Sequence, residues 1–386
     1  MKKIQMVDLK GQYSSIKKVV DSSIQEVIDN ASFINGPKVK KFQESLEAYL
    51  EVKHVIPCAN GTDALQIAMM GLGLKPGDEV ITADFTFAAT VEVIALLGLT
   101  PVLVDVDSEK FNIDVEAIKR AITPKTKAIV PVHLFGQCAN MEAIMELAND
   151  HDLFVIEDNA QAIGANYSYK DGRKSKAGTI GHVASTSFFS LPKTLVATEM
   201  GALFFTNDDK LAHRIRGIVN HGMYKRYHHD VVGVNSRLDS IQGAVLDAKL
   251  PKLDQYNKAR QSAARKYNAA FTNHPNIVIP KAGNGCKTIC DNCDCHVFHQ
   301  YTLKIQGADR DALVTHLQEK GIPCGVYYPI PLHKQKAYMS DRYNDADFKV
   351  TNTLINQVIS LPMHTELEDD QINFITSTVI DFLERG

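Results

Sequence analysis

Apolar positions in the first half of the chain follow two alternating patterns. Apolar residues recur at helical spacing between residues 9 and 30, and a break at Asn35-Gly36-Pro37 separates them from a second helix that is predicted to end near Leu50. Short and almost continuous apolar runs come next, each followed by a helical or turn pattern. They cover residues 79–82, 101–106, 128–133 and 153–157. Strands of this kind are buried on both faces, so the pattern predicts an α/β fold with a mostly parallel sheet.

The pattern changes near residue 250. A long charged helix, a cysteine-rich stretch, a strand at 301–305 and a helix at 310–320 follow one another there. This order predicts two domains. Residues 1–250 would form a large α/β domain with an N-terminal helical arm, and residues 251–386 a smaller α+β domain.

Composition agrees with a soluble protein of two domains. The chain has 386 residues, of which 45% are hydrophobic and 23% charged, and its formal net charge is -3. Nothing in this balance indicates a nucleic-acid or membrane-surface partner. No apolar run approaches the ~18 residues of a spanning helix, and the two lysines after Met1 precede no apolar signal region. We therefore expect a cytoplasmic protein.

Four of the seven cysteines fall within ten residues and leave two interpretations open. They are Cys286, Cys290, Cys293 and Cys295. With His296 and His299 nearby, these thiols could bind zinc in a tetrahedral site. Metal sites more often contain two separated pairs of cysteines, so we favour a reduced loop that binds no metal.

One lysine stands out by its surroundings. Residues 185–206 are predicted to form a strand, a tight loop and a strand, and Lys193 lies in the loop among leucine, proline, valine and alanine. Apolar surroundings lower the pKa of a lysine, which makes its amine a nucleophile for a carbonyl group. The alternative is a solvated surface lysine, which is the common case.

Further candidates lie where predicted helices begin and strands end. Asn60, Gly61 and Thr62 precede a helix, whose N-terminus can bind phosphate, although these residues taken by themselves favour a plain helix cap by Asn60 or Thr62. Phe87 and Asp158 follow strand ends, the edge at which open α/β sheets bind ligands. By themselves they would be a core aromatic and a turn carboxylate.

Five segments together resemble a known family. SFFSLPK, EDNAQA, CANGTDAL, FTFAAT and GVNSRLD are similar to motifs of the pyridoxal-phosphate (PLP) dependent sugar aminotransferases of the DegT/DnrJ/EryC1/StrS family, and the resemblance runs from Asp8 to about Met363. It implies the aspartate-aminotransferase type of fold, fold type I, with PLP as cofactor. It also implies a homodimer with shared active sites that acts on a nucleotide-linked keto sugar, with glutamate as amino donor and 2-oxoglutarate as its product.

Two further stretches indicate which branch of the family the chain resembles. RYHHDVVGVNSRLDSIQ and YYPIPLHKQ look most like the branch that aminates UDP-linked 3-keto-N-acetylhexosaminuronic acids for bacterial surface polysaccharides. The alternatives are an aminotransferase for a dTDP-linked 3-keto-6-deoxyhexose, a PLP-dependent sugar dehydratase and a non-catalytic sensor. The dehydratases of the family carry histidine at the lysine position, so Lys193 favours an aminotransferase.

The resemblance also implies roles for single residues at the cofactor. Lys193 would bond to the cofactor and act as general acid and base. Asp158 would hold the pyridine nitrogen protonated, Gln161 would lie beside the ring hydroxyl and Phe87 would stack on the ring. Gly61, Thr62 and Ser187 would contact the phosphate. Ser187 and Lys193 are six residues apart where the family usually has five, which predicts a bulged loop.

The resemblance also implies residues that contact the neighbouring subunit's ligands or the sugar substrate. Asn235 would meet the neighbouring subunit's cofactor phosphate, and Arg237 the neighbour's substrate. His228, His229 and Tyr328 would line the sugar together with Tyr327, which replaces the histidine of the family's usual HYP motif.

Overall fold

The computed structural model describes residues 2–188, 201–281, 283 and 294–385. Within these residues the chain forms twelve α-helices. They are α1 (Leu9–Asp29), α2 (Pro37–Leu50), α3 (Gly61–Leu72), α4 (Ala89–Leu96), α5 (Val115–Ala121), α6 (Met141–Asp150), α7 (Asp209–Ile218), α8 (Ser240–Lys249), α9 (Leu253–Phe271), α10 (Arg310–Glu319), α11 (Lys349–Gln357) and α12 (Asp369–Arg385).

The same described residues contain fourteen strands. They are β1 (His54–Cys58), β2 (Glu79–Ala83), β3 (Thr100–Val104), β4 (Thr126–Val130), β5 (Phe154–Asp158), β6 (Asn166–Ser168), β7 (Lys174–Lys176), β8 (Val183–Ser187), β9 (Ala202–Thr206), β10 (Met223–Lys225), β11 (His228–His229), β12 (Ile277–Val278), β13 (Tyr301–Ile305) and β14 (Val358–Leu361). The four apolar runs of the first half therefore overlap β2, β3, β4 and β5 as predicted.

A seven-stranded sheet forms the centre of the large α/β unit. Its strand order is β1-β9-β8-β5-β4-β2-β3. Neighbours from β8 to β3 pair in parallel, whereas β9 runs antiparallel to both β1 and β8. The prediction of a mostly parallel sheet is confirmed, with β9 as its antiparallel member.

Helices cover both faces of this sheet. Successive side chains of a strand point to opposite faces, so β5 contributes Val155 to one apolar cluster and Ile156 to the other. The Val155 cluster includes residues of α5 and α6, and the Ile156 cluster includes residues of α3, α4 and α7. The carboxyl ends of the parallel strands all lie along one edge of the sheet.

A second, smaller sheet lies in the C-terminal part. β12, β13 and β14 pair antiparallel in that order. A separate apolar cluster contains residues of these strands and of α9, α10 and α12, and Ile4 from the start of the chain also belongs to it. The α+β elements thus occur where the sequence predicted them, while the division of the chain at residue 250 stays a prediction.

The N-terminal arm packs against the middle of the chain. Ile16 and Val20 of α1 form a small cluster with Val245 of α8. None of the helices in the described residues is long and apolar enough to cross a membrane.

Candidate active site

Asp158 is a buried carboxylate at the carboxyl end of β5. The residue is only 6% exposed. The Thr90 hydroxyl in the first turn of α4 donates to Oδ2 at 2.9 Å, and the backbone N–H of Ala160 donates to Oδ1 at 3.2 Å. Both donors are neutral, so they satisfy buried oxygens without adding positive charge. The predicted anion therefore lies at the ligand-binding edge of the sheet.

Phe87, Tyr328 and Gln161 come together beside this edge. Phe87 is 59% exposed, and its ring centroid lies 6.3 Å from that of Tyr328. The Gln161 amide accepts a hydrogen bond from the backbone N–H of Phe135 at 2.7 Å and donates to the Tyr328 hydroxyl at 3.3 Å. An exposed aromatic ring next to a fixed amide offers a flat apolar face and a polar rim.

The two tyrosines of the YYP motif differ in their surroundings. Burial raises the pKa of Tyr328 above its ordinary value, although the hydrogen bond from Gln161 acts in the opposite direction. The pKa of Tyr327 is raised by burial as well. The two ring centroids lie 6.3 Å apart. Both phenols are therefore protonated at neutral pH and can serve as hydrogen-bond donors.

Gly61, Thr62 and Ser187 form a second group at the start of α3. Asn60 caps this helix, and its side chain accepts from the N–H of Asp63 at 2.8 Å. A Cβ atom added to Gly61 would lie 2.6 Å from Cβ of Ser187, so the absence of a side chain lets the serine at the end of β8 reach the helix N-terminus. A hydroxyl beside the first N–H groups of a helix is well suited to phosphate.

Residues 235–237 join this second group through Ser236. Its hydroxyl donates to the Asp63 carboxylate at 2.6 Å and accepts from the backbone N–H of Ala59 at 3.0 Å. Asn235 is exposed and Arg237 half-buried. Arg237 donates to the side-chain oxygens of Asn235 and Asn220 at 2.6 and 2.7 Å. The segment that the resemblance assigned to a subunit crossing is thus attached to the α3 terminus of its own chain.

Other predicted residues are not brought into these groups. His228 and His229 lie exposed in the hairpin of β10 and β11, where the His229 ring contacts the carbonyl of His221 at 2.8 Å. The described contacts do not connect either histidine with the other candidates. Lys193 lies outside the described residues, as do Cys286, Cys290 and Cys293.

The described residues contain no group of three or more side chains arranged to bind a metal ion. His296 is buried, stacks on Phe298 with ring centroids 3.9 Å apart, and accepts from the Phe298 N–H. Burial lowers its pKa to about 3. The interpretation as a reduced loop without metal stays a prediction, since three of the four clustered cysteines lie outside the described part of the chain.

Sequence reasoning missed several residues that the structure brings to this site. Thr90 lies one helical turn after Phe87, and Ser236 lies between the two residues that attracted attention. Asn220 is fifteen positions before Asn235. Thr90 and Ser236 lie within the segments FTFAAT and GVNSRLD, but the contacts of all three residues depend on tertiary structure.

Pyridoxal phosphate requires an anion at its ring nitrogen, a flat face against its ring and donors around its phosphate. Asp158, Phe87 and the start of α3 with Ser187 are of the right chemical types, and the buried carboxylate with neutral donors fits the first requirement well. The fold and this set of residues define the class: a PLP-dependent transferase of fold type I.

The family model described as DegT/DnrJ/EryC1/StrS aminotransferase family matches residues 14–380, and the chain belongs to this family. It is therefore an aminotransferase, and its cofactor is pyridoxal phosphate. These assignments confirm the predicted class, fold type and cofactor.

Two relatives and one solved structure illustrate the similarity. The UDP-2-acetamido-2-deoxy-3-oxo-D-glucuronate aminotransferase of Pseudomonas aeruginosa is 43% identical over 376 residues, which cover 97% of this chain and 99% of the relative. A protein of Geobacillus stearothermophilus called pleiotropic regulatory protein is 42% identical over 381 residues, which cover 98% of each chain. The structure of S. venezuelae DesV in complex with a ketimine intermediate aligns with a TM-score of 0.91 at 35% identity and covers 100% of both chains.

Proposed function

We propose that this enzyme transfers the amino group of glutamate to the 3-keto carbon of a UDP-linked N-acetylhexosaminuronic acid in the cytoplasm. The supporting observation is the 43% identity, over nearly the full length of both chains, with a relative whose name states such a substrate. The product would be used to build a bacterial surface polysaccharide. An aminotransferase for a dTDP-linked 3-keto-6-deoxyhexose is the alternative.

The chain's own residues would hold the cofactor from three sides. When bound, pyridoxal phosphate supplies an electron sink for the substrate carbon that loses its proton. Asp158 would keep the ring nitrogen protonated, and Thr90 would hold the carboxylate in place. Ser187 and the first N–H groups of α3 would bind the phosphate, while Phe87 would cover the ring and exclude water.

Lys193 would perform the proton transfers. Its Nζ would hold the cofactor, and the same amine would serve as the general acid and base that moves a proton at the α-carbon of the amino donor. Lys193→Ala should abolish turnover and the lysine adduct that borohydride traps. A reducible adduct at another lysine, with turnover retained, would show that Lys193 is not the residue.

The active site would be shared between the two subunits of a homodimer. Asn235 and Arg237 would act on the partner subunit's cofactor phosphate and substrate. Inactive Lys193→Ala mixed with Arg237→Ala should give more activity than Arg237→Ala alone when the substrate concentration lies far below the Michaelis constant of Arg237→Ala, because one of the two sites in a heterodimer would then be intact. If subunits exchange but the activity does not rise, each site is built within one chain.

The substrate assignment is tested by comparing two amino sugars. Turnover is measured with 2-oxoglutarate as the amino acceptor, since the keto sugars are labile. We expect the UDP-linked 3-amino uronate to react faster than a dTDP-linked 3-amino-6-deoxyhexose. Faster turnover of the dTDP sugar would replace the proposed substrate but leave the aminotransferase in place.

A regulatory role is a second candidate, because the Geobacillus stearothermophilus relative carries the name of a regulatory protein. An enzyme and a sensor differ in what the amino donor does to the cofactor. Glutamate should bleach the visible absorbance of the purified enzyme, and 2-oxoglutarate should restore it. Absorbance that stays unchanged with every amino donor would favour the sensor.

A further inference from the structure

Residues 234–236 pair with residues 218–221 as short antiparallel segments. Asn220 and Asn235 lie directly opposite each other, and the N–H of His221 donates to the carbonyl of Val234 at 2.9 Å. Side chains alternate along an extended segment, so Asn235 and Arg237 share one face while Ser236 points to the other. The Ser236 contacts with Asp63 and Ala59 fix this orientation.

The consequence is a clamp made of two side-chain amides around one guanidinium group. Arg237 donates through one terminal nitrogen to Asn235 Oδ1 and through the other to Asn220 Oδ1. A guanidinium group has only donors, so the oxygen of each amide must face it. The NH₂ group of Asn235 is then not used by Arg237 and is a donor that suits a phosphate.

The clamp orients the guanidinium group, and its two amides bring no negative charge to it. Among the residues that the structure describes, no carboxylate forms an ion pair with Arg237. Arg342 provides the contrast, because its terminal nitrogen lies 2.8 Å from the Glu79 carboxylate. Two of the five N–H donors of Arg237 are used by the amides, which leaves three for a ligand. A fixed and unneutralised guanidinium is a strong binder of carboxylates.

We propose that Asn220 is a positioning residue that holds Arg237 ready for a substrate carboxylate, and that its neutrality is what the site requires. The proposal rests on the assignment of Arg237 to substrate binding. The carboxylate can come from the hexosaminuronate or from the amino donor, since both offer the same chemistry. A carboxylate at position 220 would occupy the guanidinium itself and compete with the substrate.

The test compares Asn220→Asp with Asn220→Ala. Aspartate keeps an acceptor oxygen for Arg237 and adds a negative charge, whereas alanine removes the acceptor and adds no charge. We expect Asn220→Asp to raise the Michaelis constant of the carboxylate-bearing substrate about tenfold or more, as for a lost charge-assisted contact, and Asn220→Ala to raise it less. A residue that only supports the fold gives the opposite order, because alanine then causes the greater loss.

Measuring the Michaelis constants of 2-oxoglutarate and of the UDP-linked 3-amino uronate separately shows which carboxylate Arg237 binds. Asn207→Asp is the matched control. Asn207 is exposed, and its Oδ1 accepts from the N–H of Lys53 at 2.9 Å, a bond that aspartate retains. This variant carries the same change of charge directly after β9, at the end of that strand that pairs with the start of β1, and should leave both Michaelis constants unchanged.

Binding of glutarate, a dicarboxylate that cannot react, provides a readout independent of turnover. Calorimetry should show weaker glutarate binding to Asn220→Asp than to Asn220→Ala if the donor carboxylate is the ligand. If the uronate is the ligand, the UDP-linked uronate should show this order and glutarate should not. Melting curves of each variant identify any loss of folding.

Two results would overturn the inference in distinguishable ways. If Arg237→Ala leaves the Michaelis constants of both anionic substrates unchanged, the assignment of Arg237 fails, and the role of Asn220 fails with it. If Arg237→Ala raises one of them but Asn220→Asp behaves no worse than Asn220→Ala, only the role of Asn220 is wrong. In the Arg237→Ala background, Asn220→Asp should have no additional effect.

Discussion

Glu157 and Asp158 are adjacent carboxylates at the end of β5, and they have different surroundings. Glu157 is fully buried and accepts from His133 Nε2 at 2.7 Å and from the N–H groups of Gly178, Ile180 and Gly181 at 3.0, 2.7 and 2.5 Å. Asp158 accepts from the hydroxyl of Thr90 and from the backbone N–H of Ala160. A carboxylate surrounded by loop N–H groups serves the fold, whereas its neighbour at the ligand edge can serve a ligand.

Electrostatics agree with this division. Burial by itself raises the pKa of Glu157, but the bonds from His133 and the loop N–H groups outweigh it and hold the pKa below its ordinary value of 4.5. The N–H of Ala139 donates to His133 Nδ1 at 3.3 Å, so the ring proton lies on Nε2 and points to Glu157. Glu157 is therefore a charged, fully satisfied anchor for residues 178–181.

The largest effect on activity is expected from Asp158→Asn. The amide has the size of the carboxylate but no charge to hold a protonated pyridine nitrogen. We expect kcat to fall about 10³-fold, or about 4 kcal/mol in transition-state energy, with little loss of folding stability. Steady-state kinetics and urea unfolding of the same preparation measure both. A near-normal kcat would show that another residue, and not Asp158, keeps the pyridine nitrogen protonated.

Glu157→Gln should show the reverse profile. The glutamine cannot accept from all four donors, and its NH₂ group would face N–H groups. We expect the free energy of unfolding to fall by about 3 kcal/mol, the lower end for breaking a buried charged network, while kcat of the folded enzyme stays within a few-fold of normal. If kcat fell as far as in Asp158→Asn, the two carboxylates would not have separate roles.

The pH dependence of stability sharpens the same contrast. The folded pKa of Glu157 lies below its unfolded value, so its contribution is fully present above about pH 4.5 and is lost as the pH falls through the folded pKa. The stability difference between wild type and Glu157→Gln should therefore be constant from pH 7 to pH 5.5 and shrink below pH 4.5. A difference that already shrinks near pH 6 would contradict the lowered pKa.

The smallest effect is expected from Thr90→Val, which removes the hydroxyl donor of Asp158 with almost no change of shape. A hydrogen bond to a charged group contributes about 1.5 kcal/mol, so kcat should fall about tenfold. Thr90→Ser keeps the hydroxyl and serves as the control. Equal activity of the valine and serine variants would show that Asp158 does not depend on this donor.

Much of the architecture could be predicted from the sequence. The apolar runs that became β2 to β5 are buried on both faces, and such runs carry a strong signal. Motif resemblance identified the family and its cofactor as well. The antiparallel direction of β9 was not predicted, because strand direction depends on the connection between strands and not on the apolar pattern of one strand.

Contacts within the site were less predictable. EDNAQA shows two acids side by side, and nothing local tells which one meets the N–H groups of residues 178–181, some twenty positions later. The contacts of Asn220 and Ser236 depend on the pairing of residues 218–221 with residues 234–236, which no local sequence pattern reveals. The interpretation of His228 and His229 as sugar-lining residues stays a prediction, because both side chains are exposed in the β10–β11 hairpin.

Because side chains alternate between the two faces of the sheet along β5, the number of residues in this strand determines which carboxylate faces α4 and which faces the loop of residues 178–181. Inserting one residue between Ile156 and Glu157 would turn each later side chain to the opposite face of the sheet. The carboxylate now held by residues 178–181 would then point toward α4, and the one beside Thr90 toward the loop. Homologous or designed sequences of this fold should therefore tolerate substitutions within β5 far better than any change in its length.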